Sequence, residues 1–191
     1  MSGLVLASRS PQRQAILAAL GVTFKVRPSS FEEAEQGEAH EVALANAVGK
    51  ALEVARAGGE TVLGVDTVVA LDGRLFGKPA DATEARATLS ALAGRTHLVV
   101  SGVAVAGEGT PRTATAATAV SFRELSAAEI EWYLAGGEWR ERAGGYAIQG
   151  AGCALVERID GDWTNVVGLP VATLLELLPA LLTQHCVQGD G

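Results

Sequence analysis

The valine-rich run Thr61–Leu71 stops at Asp72-Gly73 and resumes as Arg74-Leu75-Phe76. An Asp-Gly pair between two apolar runs is the chemistry of a tight hairpin, because both turn positions want a positive φ. One antiparallel pairing is thereby fixed in the middle of a chain whose flanks read as helix. The pattern predicts helices over 11–20, about 40–57 (ending at Gly58-Gly59), 82–93, 127–135 and about 170–182. Asp81 with Glu84, and Ser126 with Glu129, have capping-box spacing, and Gly94 and Gly136-Gly137 close their helices. Strands are predicted at 3–7, 23–28, 97–106, 113–122 and 153–159. Crossover helices join parallel strands and short turns join antiparallel ones. The chain is therefore α/β with a mixed, twisted sheet and flanking helices. Residues 1–183 read as one domain and 184–191 as a polar tail.

The N-terminal strand runs through Leu4-Val5-Leu6-Ala7 into Ser8-Arg9-Ser10-Pro11-Gln12-Arg13. Ser10 can cap the helix that follows, and Pro11 suits its first position, where a missing N–H costs nothing. Backbone N–H groups, two hydroxyls and two guanidiniums then converge on a positive helix end, which is how proteins build phosphate sites. An ordinary capped turn with solvated arginines is the competing reading.

The chain carries a net charge of −7, which argues against broad nucleic-acid or membrane-surface binding. A polyanion can then bind only through a local cluster of cations, with divalent metal supplying further positive charge. There are three lysines (Lys25, Lys50 and Lys78) among 15 basic residues, so arginine serves most basic positions. Cys153 and Cys186 lack metal-ligand spacing, and Cys153 reads as a small buried hydrophobe. The histidines His40, His97 and His185 are scattered, against a zinc site. The start reads as lacking a signal peptide, and the apolar stretch 166–182 holds Glu176 and two prolines, too interrupted to span a bilayer. The expected location is a reducing cytoplasm.

Asp66 is the first catalytic candidate. A carboxylate in Val65-Asp66-Thr67-Val68-Val69 is costly if buried unpaired, and is tolerated where it lines a polar cavity, binds a cation or takes a proton. A strand aspartate facing solvent or a structural arginine is the alternative.

Ser8-x-Ser10-Pro11-x-Arg13, Gly64-Val65-Asp66-Thr67, Phe76-Gly77-Lys78-Pro79, Ala143-Gly144-Gly145-Tyr146-Ala147-Ile148-Gln149-Gly150 and Asn165-Val166-Val167-Gly168-Leu169-Pro170 follow in order. Together they resemble the Maf family of nucleoside triphosphate pyrophosphatases, over residues 4 to 182. The resemblance implies an elongated, two-lobed Maf/ITPase-like fold with a central cleft. It implies attack by water on the α-phosphorus, giving a nucleoside monophosphate and pyrophosphate, with Asp66 as general base. Arg13, Lys50 and Lys78 would neutralise the phosphates while Ser8 and Ser10 hold their oxygens. A divalent cation, magnesium or manganese, would sit on Asp66 and Glu33. The acidic run Glu32-Glu33-Ala34-Glu35 reads equally as a solvated loop. Lys50 matches the family's LAxxKA helix more loosely than Lys78 matches its own motif.

Within the family, one group favours dTTP and UTP and another 7-methyl-GTP. Thr67 and Gln149 match the pyrimidine group, since a neutral amide both donates and accepts toward a pyrimidine edge. Gln12 matches neither, and removes a cation. Tyr146 could stack on a base or merely anchor its loop. Expected partners are a nucleotide substrate and a second copy of the chain, with no nucleic acid or membrane. A nucleotide-binding regulator of septum formation, without turnover, is the non-enzymatic alternative.

Overall fold

The computed structural model describes residues 3–55 and 59–183. In chain order the strands are β1 (Leu4–Leu6), β2 (Phe24–Val26), β3 (Thr61–Leu71), β4 (Arg74–Phe76), β5 (Thr96–Ala106), β6 (Arg112–Phe122) and β7 (Val156–Asp160). The α-helices are α1 (Pro11–Ala19), α2 (Ala39–Ala55), α3 (Ala82–Leu92), α4 (Ala127–Gly136), α5 (Trp163–Val167) and α6 (Val171–Leu177). All seven strands form one mixed sheet in the order β2-β1-β3-β5-β6-β7, with β4 also on β3. The α1 and α2 crossovers make β1 parallel to β2 and β3, whereas β3–β4, β3–β5, β5–β6 and β6–β7 are antiparallel. The Asp72-Gly73 turn forms as the sequence requires, both residues at positive φ (51° and 77°).

Strand β3 organises the molecule. Along one edge it pairs with β5 over 62–70. Along the other it pairs with β1 over 61–63 and with β4 over 69–71, leaving 64–68 without a strand neighbour among the described residues. Alternate residues of β3 face opposite ways. Leu63 and Val65 join a core cluster with Leu17 of α1 and Leu174 of α6. Val69 and Leu71 join a second cluster with Leu89 and Leu92 of α3 and Tyr133 of α4. Asp66 and Thr67 lie between these two packed ends, at the gap in the edge.

Helix α2 covers the other face, with Ala47, Ala51 and Val54 packed against Val5, Val62 and Ala104. Its approach is set by two strand glycines. A Cβ on Gly64 would stand 2.2 Å from the Ala47 carbonyl oxygen, and one on Gly102 2.2 Å from that of Ala43. Backbone contact of this kind is possible only without side chains.

Several elements depart from the sequence expectation. The stretch 153–159 is not all strand: Ala151–Leu155 coils as a 3-10 turn and β7 begins at Val156. Cys153 is exposed on that turn, not buried. The last helix ends at Leu177, because Pro179 follows and pulls Leu178 out of helical geometry (φ −129°, ψ 69°). The short helix α5, capped by Asp162, lies where no helix was expected. Asp81 does cap α3, but Glu84 bonds the Ala80 N–H instead of completing a box. The box of Ser126 and Glu129 is complete. The expected Gly58 stop of α2, Cys186, His185 and the tail 184–191 lie outside the described residues.

Candidate active site

A cavity of about 760 Å³ opens at the gap in the β3 edge, lined by Ser8–Arg13, the 28–33 loop, Asp66, Thr67, Lys78 and the 141–146 segment. Among the described residues five cations face it, Arg9, Arg13, Lys50, Lys78 and Arg142, against the carboxylates Glu33, Asp66 and Glu141. A local excess of two positive charges thus sits in a protein whose net charge is −7. Such a cavity concentrates polyanions.

The start of α1 builds one wall. Ser10 caps the helix by accepting from the Arg13 N–H at 3.4 Å, with Pro11 in its first turn. The hydroxyl of Ser10 also donates to Gln12 Oε1 at 3.1 Å. One helical turn beyond the cap, Arg13 points back into the cavity and is buried. Its guanidinium donates to the Gly168 carbonyl (2.8 Å), Ser8 Oγ (3.0 Å) and Thr67 Oγ1 (3.1 Å). All three acceptors are neutral, so burial lowers its pKa, and the charges of Asp66 and Glu33 only partly oppose that. A buried guanidinium without a bonded acid is poised for an anion.

On the face under α2, Asp66 is buried and both its oxygens are held. Lys50 Nζ donates to Oδ1 at 2.7 Å, and Asn46 Nδ2 to Oδ2 at 3.0 Å. Burial raises the carboxyl pKa, but the charge and hydrogen bond of Lys50, then Asn46 and Arg13, outweigh it and hold the group below its ordinary value. Asp66 is an ionised acceptor at neutral pH. Lys50 also reaches Glu33 Oε1 at 2.8 Å.

Asn46 does a second job that sequence reading missed. Its amide accepts from the Ala34 N–H (2.8 Å) and donates to the Ala34 carbonyl (3.0 Å), tying the acidic loop to α2. The loop is laid along the C-terminal half of α2. Ser30 bonds Glu53, the Phe31 ring fills the space above Gly49, and Glu33 meets Lys50. The spacing of Asn46 and Lys50, one helical turn apart, was the available signal.

Lys78 is half-exposed across the cavity, with Nζ 3.9 Å from Glu141. The 141–146 segment is fixed beside it by the Gly144 N–H bonding the Gly77 carbonyl at 3.0 Å. Tyr146 turns its hydroxyl into the core, 2.9 Å from His97 Nε2, in a cluster of edge-on rings with Phe122. It anchors its loop. Ser8, Ser10, Gln12, Arg13, Glu33, Lys50, Asp66, Thr67 and Lys78 therefore converge, whereas Gln149 is exposed and does not line the cavity.

A divalent cation held by Asp66 and Glu33 would need both carboxylates to face one point. Lys50 Nζ stands at that point, within 2.8 Å of each. Among the described residues no three His, Cys, Asp or Glu side chains converge as a metal site. These residues do not by themselves fit a resident metal ion. No helix among them is long and apolar enough to cross a membrane.

The Maf-like protein family model matches residues 3–181. A dTTP/UTP pyrophosphatase of Gloeobacter violaceus is 46% identical over 178 residues, covering 92% of this chain and 94% of that one. One from Pyrococcus furiosus is 41% identical, covering 93% and 95%. Among solved structures, the Ham1 protein of Staphylococcus aureus aligns with TM-score 0.46 at 18% identity, covering 63% of this chain and 72% of that one.

Proposed function

Because the chain belongs to the Maf family, we propose that it is a nucleoside triphosphate pyrophosphatase acting on dTTP and UTP. The observation that carries the reading is an ionised, buried Asp66 in a cavity with an excess of positive charge. A site for binding alone gains nothing from a carboxylate placed among phosphate cations.

In this reading the triphosphate lies along Arg13, Lys50 and Lys78, with Ser8 and Ser10 at its oxygens. A water attacks the α-phosphorus, the new P–O bond forms, and the bond to the β-phosphate oxygen breaks to release pyrophosphate. Asp66 keeps lone pairs beyond those used by Lys50 and Asn46, and one accepts the water's hydrogen bond. A carboxylate held below its usual range is a weak base, so Asp66 orients the water and takes its proton only as the P–O bond forms. The cations stabilise charge on the departing pyrophosphate. The pyrimidine preference is supported by the relatives' names and by Thr67 in the cavity, not by Gln149.

The test is product analysis over dTTP, UTP, CTP, GTP and 7-methyl-GTP with magnesium, comparing wild type with Asp66→Asn. Monophosphate and pyrophosphate from dTTP or UTP are expected, with kcat reduced about 10²- to 10⁴-fold in the variant. Hydrolysis of 7-methyl-GTP alone would overturn the substrate assignment. Nucleotide binding without hydrolysis would replace the enzyme with a regulator.

A further inference from the structure

We infer that Lys50 fills the place between Asp66 and Glu33 that a divalent cation would take, so that the chain binds metal only as a metal–nucleotide complex. The inference rests on the nucleoside triphosphatase reading for the nucleotide, but its first half concerns the protein alone. The ammonium is 2.7 Å from Asp66 and 2.8 Å from Glu33, and the side chain is nine-tenths buried. The backbone that carries it is fixed in place, because α2 sits directly on the backbone of Gly64 and Gly102.

Charge decides what the cluster attracts. Arg13 and Lys50 already balance Asp66 and Glu33, so a bare divalent cation entering it meets no net attraction and must displace an ammonium. A triphosphate carries roughly four negative charges, whereas the cavity offers an excess of two. A divalent cation on the phosphate oxygens makes up the difference. Magnesium favours this arrangement, keeping phosphate and water ligands instead of entering an all-protein cage. The metal then belongs to the substrate, and Lys50 is the resident cation of the site.

Ultrafiltration with manganese chloride measures the metal retained per chain. Wild type without nucleotide should retain none above a chelator-treated control. With the non-hydrolysable α,β-methylene-dUTP, metal and analogue should be retained together, one of each per chain. Lys50→Met should retain manganese without nucleotide, about tenfold or more tightly than wild type, and a further Glu33→Gln change should remove it. Circular dichroism and a cooperative melt verify that the variants fold. Stoichiometric manganese on nucleotide-free wild type, or none on folded Lys50→Met, overturns the inference. If Lys50→Met does not fold, the nucleotide-free wild type decides alone. Since no turnover is measured, failure of the pyrophosphatase reading appears separately, as no hydrolysis in the product panel.

Discussion

Asp66 owes its state to three neighbours of different kinds, and Asn46 is the one that can be removed without changing charge. Lys50 supplies an ammonium, Arg13 a more distant guanidinium, and Asn46 a neutral donor to the second oxygen. Asn46→Ala leaves that buried oxygen with one donor fewer and unties the exposed Ala34, whose N–H and carbonyl pass to water, from α2. Lost partners at buried polar groups cost about 1–3 kcal/mol, which urea denaturation will read. The rate carries the sharper signal. Asn46 lowers the Asp66 pKa, so its loss raises it, and the ionised form the reaction needs disappears at a higher pH. The acid limb of the kcat/KM profile should therefore move to higher pH in Asn46→Ala. A profile that falls uniformly without shifting would show Asn46 to be structural only. Asn46 was hidden in sequence because an asparagine in an alanine-rich helix says nothing of its partners. Those are set by the sheet beneath it and by a loop with no periodicity.

At the scale of elements, the site depends on how closely α2 lies on β3 and β5. The alanines of α2 and the glycines of the strands make one surface: Ala43 above Gly102, Ala47 above Gly64. Gly102→Ala forces a Cβ to 2.2 Å from a carbonyl oxygen, so the helix must lift. Overpacking of this kind costs about 1–3 kcal/mol. Lys50 and Asn46, carried on α2, should retreat from Asp66 at the same time. Gly102→Ala is thus expected to lower both the melting temperature and kcat, whereas Gly107→Ala, where the nearest atom is 3.9 Å away, should change neither. Stability and activity falling together in Gly102→Ala, but not in Gly107→Ala, verifies the coupling. Loss of stability with unaltered kcat would refute it.

For the whole molecule, the mixed sheet was legible because its signals are local: the Asp72-Gly73 turn, the capped starts of α1 and α4, and the valine-rich strands. The start of α1, with its Ser10 cap and Pro11, was legible for the same reason. What escaped were features decided by distant contacts, namely α5, the early end of α6 and the 3-10 turn at Cys153. His97 belongs with these. In sequence it is one scattered histidine, but in the fold it is a buried member of the core beside the cavity, bonded to Tyr146, with Nδ1 unpartnered. Burial pushes its pKa from 6.5 down to about 4. Between those values the unfolded chain takes up a proton that the folded chain refuses, so stability falls as pH drops from about 6.5 to about 4. Below about 4 both states are protonated and this contribution changes no further. The loss amounts to about 3 kcal/mol across the window, a large share of a domain's stability. His97→Gln keeps a donor and an acceptor for the Tyr146 hydroxyl but cannot titrate. Its unfolding free energy, measured in urea at intervals from pH 7 to 4, should fall less steeply than that of wild type by up to one proton's worth, whatever its absolute stability. Parallel curves for the two proteins would mean that His97 is not the group that resists protonation. The acid sensitivity of the fold would then lie with carboxylates held below their ordinary range, such as Asp66, whose contribution fades only at lower pH.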